Sequence, residues 1–334
     1  MNPHPLPLPP KAGEGEEVRS PAPRRRRAAG FDRPTDLAFE TVLLACALLV
    51  FALAAGLAWA LADHSALAWK RFGLPFVWGQ EWDPVTERFG ALPFIFGTAV
   101  SSALALLIAV PLGLGSAIFL TELAPRRLAA FVSFVIELLA AVPSVILGLM
   151  GIFLLVPAVR AVEPVLSGTL GRFLPFFRGA PYGVSLLAAG LILAVMILPY
   201  ITVLSREVLM TVPRPLKEGL LAIGATRWET VRLVSLPFAR SGILGAVFLA
   251  LGRALGETMA VTMVIGNSPH ISASLLAPSY SMAAVIANEL AEAASDIHLH
   301  SLIAIGLVLF AITLAVNAAA RWMVYRLSLA GGAR

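Results

Sequence analysis

Six apolar runs, each about twenty residues long or longer, decide what this chain can fold into before any motif is considered. They extend approximately over residues 37–61, 92–120, 128–159, 184–204, 241–265 and 299–320. A bilayer's hydrocarbon layer is ~30 Å thick, so a helix needs ~20 apolar residues to cross it. With no water inside that layer to bond backbone groups, such runs must be helical. Composition agrees, with 58% of the 334 residues hydrophobic and 13% charged, where soluble domains carry about 25% charged residues. The mean hydropathy is +0.85. The expectation is an all-α membrane protein with six transmembrane helices. The third run is long enough to be tilted, or broken near Pro143 or Gly148.

Basic residues set the orientation. Of the 25 Lys and Arg, eighteen fall in the first tail, between runs two and three, between runs four and five, and at or beyond the end of run six. Six fall on the other side, and Arg253 lies inside run five. The positive-inside rule then makes both termini cytoplasmic and the protein multi-pass in the inner membrane. Residues 1–35, rich in Pro, Gly and charge, are expected to form a disordered basic cytoplasmic tail. The run Arg24–Arg27 stands directly before a membrane span, so it reads as a topology and anionic-lipid signal, with no nucleic acid partner expected. No cleaved signal peptide is expected.

The loop between runs four and five carries the most pattern. Pro213 and Pro215 can open a short helix whose apolar side is Leu216, Leu220, Leu221 and Ile223. Gly224 suits the left-handed residue that ends it. Thr226 and Glu229 have the spacing of a capping box for a second helix, which Pro237 is expected to interrupt. A helix, glycine and helix with exposed apolar residues either awaits a partner or lies on the membrane surface.

Written out, Glu218, Gly219, Leu220, three residues, Gly224, nine residues, Val234, Ser235, Leu236, Pro237 resembles the loop of ABC importer membrane subunits, E-A-A-x3-G-x9-I-x-L-P. The departures are Gly219 and Leu220 for the two alanines and Val234 for isoleucine. The resemblance implies a six-span type I ABC importer permease of MetI-like fold, with residues 36–330 as the permease domain. It also implies that 213–237 docks on a dimer of separate ATPase subunits, with Glu218, Gly219, Gly224, Thr226, Glu229, Leu236 and Pro237 in the coupling motif. Further stretches, WDPVTERFGALPFIFGT (82–98), TELAPRR (121–127), ELLAAVPSVILGLMGIF (137–153), 224–267 and SMAAVIANELAEA (281–293), are similar to permeases of high-affinity phosphate importers. That likeness implies phosphate as the cargo, a PstA-like sister permease as heterodimer partner, and a periplasmic phosphate-binding protein as donor. Permeases for sulfate, molybdate or phosphonate, or the sister subunit itself, are the alternatives.

This subunit itself is not expected to be an enzyme. None of its three lysines, Lys11, Lys70 and Lys217, follows a glycine as a Walker A loop requires. ATP and Mg would sit on the partner ATPase, with no cofactor or metal here. Cys46 reads as a small lipid-facing or packing residue, and His298 and His300 as interfacial residues at the outer mouth of run six.

Arg253 and Glu257 stand out because a charge near a span's centre costs about 2.5 to 3.5 kcal/mol on insertion scales and should face protein or water. Four residues apart on one helix, they can pair and pin spans together. Alternatively, the guanidinium fork suits phosphate oxygens, with Glu257 holding it and limiting how tightly the anion stays. The family resemblance favours this translocation role. Pro143 and Ser144 form a possible gate, Glu137 reads as an interfacial carboxylate, and the glycines of 113–120 and 145–153 permit close helix packing. Outside, 279–295 reads as a short amphipathic helix which, with the loops 62–91 and 160–183, would receive the binding protein.

Overall fold

The computed structural model describes residues 33–331. The tail expected to be disordered therefore lies outside the described residues, except for its last three positions, which already belong to a helix. The chain divides into two units at Gly56. The first contributes the N-terminal part of helix α1 (Arg33–His64), whose Leu37, Val42, Leu49 and Phe51 are all exposed, as befits a helix apolar all round.

In the second unit, α2 (Ala66–Phe72) and α3 (Pro75–Trp78) lead to a two-stranded antiparallel hairpin, β1 (Trp82–Asp83) with β2 (Arg88–Phe89). Then follow α4 (Leu92–Ile118), α5 (Arg126–Ala140), α6 (Ser144–Met150), α7 (Val156–Thr169) and α8 (Leu186–Met210). The remainder is α9 (Arg214–Ala222), α10 (Arg227–Thr230), α11 (Leu236–Gly256), α12 (Met259–Thr262), α13 (Met282–Glu289) and α14 (Asp296–Gly331). Six helical stretches among the described residues are long and apolar enough to cross a membrane: Asp36–His64, Leu92–Leu123, Ser144–Thr169, Leu186–Met210, Arg227–Gly256 and Asp296–Arg326.

Two spans differ from expectation. The third run breaks at 141–143, beside Pro143 where a break is one expectation, so that α5 is a separate helix and the span starts at Ser144 rather than at residue 128. Proline cannot donate to the helix ladder and clashes with the carbonyl four residues back, so Pro143 sets the stop and serves as N-cap of the next helix. The fifth span starts earlier and ends earlier, at Arg227 and Gly256 rather than 241 and 265. Pro237 does not interrupt it. A π-turn over Val231–Ser235 precedes that proline, and the Leu236 N–H bonds the Val231 carbonyl five residues back. The wider turn absorbs the missing N–H without ending the helix. The same device recurs at Gly151–Leu155 before Pro157, where the Val156 N–H closes the turn and the helix continues, whereas the π-turn Phe119–Leu123, closed by the Ala124 N–H, ends its helix before Pro125.

Helix α8 is the most buried of the six spans. Its Ile192, Leu193, Ile197 and Ile201 pack with Ala105 and Ala109 of α4 and Ala250 and Ala254 of α11 into the main apolar cluster. Alanines at these contacts let the backbones approach closely, since packing rather than hydrophobic collapse holds helices together in lipid. A second cluster caps the opposite end from the one bearing Arg126, Arg206 and Lys217. It joins Phe76, Phe89 and Phe94 to Tyr280, Met282, Val285, Ile297 and Leu302.

Candidate functional site

Run five does not continue as one helix through the position of Glu257. α11 stops at Gly256, Glu257 is extended at φ −72° and ψ 126°, and the four-residue α12 follows. Arg253 and Glu257 thus do not share a helix face, and they are not within ion-pair distance. The pairing expected of them is absent. Arg253 instead lies over the ring of Tyr200, 4.5 Å from its centroid, and Glu257 Oε1 accepts from the Ala260 N–H at 3.4 Å. The Tyr200 hydroxyl donates to the Ala140 carbonyl at 3.4 Å, at the end of α5 where the chain breaks before Pro143 and Ser144.

Two interrupted helices meet here. α6 packs on α12, and a Cβ on Gly148 would come within 2.5 Å of Met263 Sδ and 3.0 Å of Ala260 Cα, so only glycine permits that approach. The second break is lined by hydroxyls and amides: Thr262 Oγ1 donates to the Thr258 carbonyl at 2.7 Å, and Asn267 Nδ2 to the Thr262 carbonyl at 3.0 Å. Irregular backbone within a span survives only beside protein or a water-filled cavity. Arg253 is exposed and Glu257 half-buried in this single subunit, so the unsatisfied charge faces outward from the chain's own bundle. A guanidinium over a ring face keeps its N–H edges free for planar oxyanion contact.

The loop motif folds as its spacing requires. α9 has no buried side chain, and Gly224, at φ +93°, supplies the left-handed residue after it. Thr226 Oγ1 accepts from the Glu229 N–H at 3.2 Å while Glu229 Oε2 accepts from the Thr226 N–H at 2.7 Å, a complete capping box. Glu218, Gly219, Thr226, Glu229 and Pro237 are exposed and Leu236 is half-buried, beside an exposed apolar set of Leu216, Leu221, Ile223, Trp228 and Leu233. The loop is anchored by a contact absent from the motif. Lys217 Nζ meets Glu122 Oε1 at 2.5 Å, and the Ser235 hydroxyl donates to the same oxygen at 3.2 Å. One carboxylate after α4 thus ties α9 to the root of α11.

At the opposite end, Glu289 Oε2 accepts from the Trp82 indole N–H at 2.9 Å and lies 3.1 Å from His298 Nε2. His298 is stacked on Phe89 and only 5% exposed, so it is a packed partner of Glu289 rather than an interfacial residue. Asp83, the middle of the WDP stretch, accepts from the Thr86 hydroxyl and the Val85 N–H, which hold its carboxyl below the ordinary range. Burial pushes the Tyr280 hydroxyl up to about 12, leaving it neutral to receive the Asn288 amide at 3.0 Å.

Sequence reading missed Tyr200, Glu122 and Lys217. The signals were present: a tyrosine after Pro199 inside an apolar run, and opposite charges beside Leu123 and Leu216 on the same side.

Residues 109–329 match the model of the family described as binding-protein-dependent transport system inner membrane component. A phosphate transport system permease protein PstC of Mesorhizobium japonicum is 48% identical over 319 residues, covering 94% of this chain and 98% of the relative. One from Haemophilus influenzae is 46% identical over 299 residues, covering 88% and 94%. Among solved structures, a chain of a bacterial alginate ABC transporter, crystallised with an alginate-bound periplasmic protein, aligns with a TM-score of 0.59 at 17% identity, over 88% of this chain and 97% of that one. That likeness speaks to fold alone. With the family model spanning most of the chain and near-full-length identity of almost one half, the chain belongs to the binding-protein-dependent transport inner membrane components, and among them to the PstC phosphate transport permeases.

Proposed function

We propose that this chain is one permease of an ATP-driven importer of inorganic phosphate, paired with a PstA-like permease, two ATPase subunits and a periplasmic phosphate-binding protein. The observation that carries the reading is the near-full-length identity to permeases named for phosphate transport. It favours phosphate over sulfate, molybdate or phosphonate. The surplus of basic residues at the end bearing α9 supports a cytoplasmic side for that end and for both termini. There α9, Gly224 and Trp228 form an exposed apolar and polar ridge suited to a cleft on the ATPase, where ATP and Mg are bound. The aromatic cluster around Trp82, Glu289 and His298 then underlies the surface that receives the binding protein.

Arg253 is the cationic contact for the anion in transit. The Tyr200 ring holds its guanidinium beside two helix breaks, and its exposure in the lone subunit leaves the N–H fork toward the sister permease. Glu257, close in sequence but unpaired with it, keeps the net local charge low, which lets a multivalent anion leave. Pro143 and Ser144 border the same region from α6 and would move with it as a gate. Uptake of radiolabelled phosphate and sulfate in cells lacking the native permease is the test. Arg253→Gln is expected to abolish most phosphate uptake, and Glu257→Gln to change its rate while the complex still assembles. Unchanged uptake in both would remove this site from the pathway; restored sulfate uptake with none of phosphate would reassign the cargo.

A further inference from the structure

At the basic end of the bundle a cavity of about 520 Å³ opens between the end of α4, the start of α5, the end of α8 and α9. Leu120, Met210 and Val212 give it an apolar wall, and Arg126, Arg206, Arg214 and Lys217 all line it. Lys217 is engaged by Glu122, the carboxylate facing this group. The three arginines therefore enter the cavity with net positive charge, and among them the Arg206 Nε is buried with no hydrogen-bond partner. Buried guanidinium N–H groups are ordinarily satisfied, so this one marks a missing acceptor. Three arginines lining one volume suit a group with several anionic oxygens.

We propose that this cavity is a binding site for a phosphate group, distinct from the translocation break and independent of which anion is carried. The group comes either from an anionic phospholipid or from free inorganic phosphate. The lipid source has further support. The apolar wall offers room for the start of an acyl chain, and α5, which opens with Arg126, continues with exposed Phe131, Phe134, Val135 and Leu138. A basic pocket between spans beside an unpartnered apolar helix is the form taken by sites for anionic headgroups. Because Arg214 and Lys217 lie on α9, an occupant would also brace the docking helix against α8.

The test uses the whole transporter in nanodiscs. In phosphatidylcholine with a minority of phosphatidylglycerol, native mass spectrometry counts retained phosphatidylglycerol. The wild type is expected to keep it, and Arg126→Gln and Arg206→Gln each to lower retention about fivefold, the factor for one basic residue at an anionic surface. Free phosphate is examined in phosphatidylcholine alone, in an Arg253→Gln background that removes the translocation contact. Protection of the 206–217 amides from hydrogen exchange by inorganic phosphate, lost with Arg206→Gln, would assign that source. Should either variant fold poorly, photoactivatable phosphatidylglycerol in the wild type is expected to crosslink to 120–130 and 206–217. Equal lipid retention in the variants with no phosphate protection, or crosslinks confined elsewhere, would overturn the site.

Discussion

Glu122→Ala offers the sharpest test of how the 213–237 loop is held. Glu122 and Lys217 approach to 2.5 Å with side chains only 14% and 19% exposed, and Ser235 adds a third member. Breaking a fully buried pair by removing one partner costs ~3–5 kcal/mol, whereas exposed pairs contribute ~0–1 kcal/mol. This covered but unsealed pair falls between, at about 2–3 kcal/mol. α9 has no buried side chain of its own, so the loss acts on local opening of that helix rather than on the bundle. Local opening is read by amide exchange. Protection of the α9 amides is expected to fall ~30- to 150-fold in Glu122→Ala, taking ~1.4 kcal/mol per decade, while amides of α8 and α4 are unchanged. Lys217→Ala is expected to do the same, and the double variant to lose little beyond either single one, as coupled residues do. Additive losses, or equal loss in α8, would show that the carboxylate is not the tether.

Gly224→Ala places a Cβ where nothing lies within 4 Å, but at φ +93°, so it costs only backbone strain of roughly 1–2 kcal/mol; phosphate-stimulated ATPase activity is expected to fall in Gly224→Ala and further in Gly224→Asp, with membrane insertion unchanged in fractionation. Glu289→Gln keeps the size but weakens what Trp82 and His298 share, and is expected to lower the melting temperature of the complex while leaving inner-end exchange untouched. Asp83 has a folded pKa below its ordinary 3.8, so its contribution is present above that value and lost as pH falls through the lowered one. Proteolytic nicking of the 82–89 hairpin is expected to rise only below pH 3.8, and Asp83→Asn to be nicked equally at all pH values.

The six crossings and the capped loop were legible because each depends on local chemistry: run length, proline position, Thr226 and Glu229 three apart, glycine at 224. The breaks were less so. Hydropathy sees Met259 to Ile265 as apolar and extends span five through Glu257, yet the backbone leaves the helix there because α6 crosses against α12 through Gly148, a contact between segments more than a hundred residues apart. Pro237 misled in the other sense, since a π-turn is invisible to a rule that counts four residues back. Arg253 was found by its charge, but Tyr200 beneath it was not, because a tyrosine in an apolar run signals packing as readily as it signals a cation's platform.

These two misreadings combine into one mechanical point. Because the π-turn carries the helix past Pro237, Arg227–Gly256 is a single rod of 30 residues, ~45 Å long at about 1.5 Å per residue. One end emerges from the Thr226 capping box beside α9, and the other ends three residues after Arg253, at the break. A hinge at Pro237 would have dissipated motion of the loop at the membrane surface. On the proposed coupling role of α9, a continuous rod, clamped through Ser235 to Glu122 and so to α9, would deliver it to the arginine instead. Under the proposed transport role, release at Glu257 would let α12 remain packed on α6 while the rod tilts, so that the break would move one wall of the polar region relative to the other.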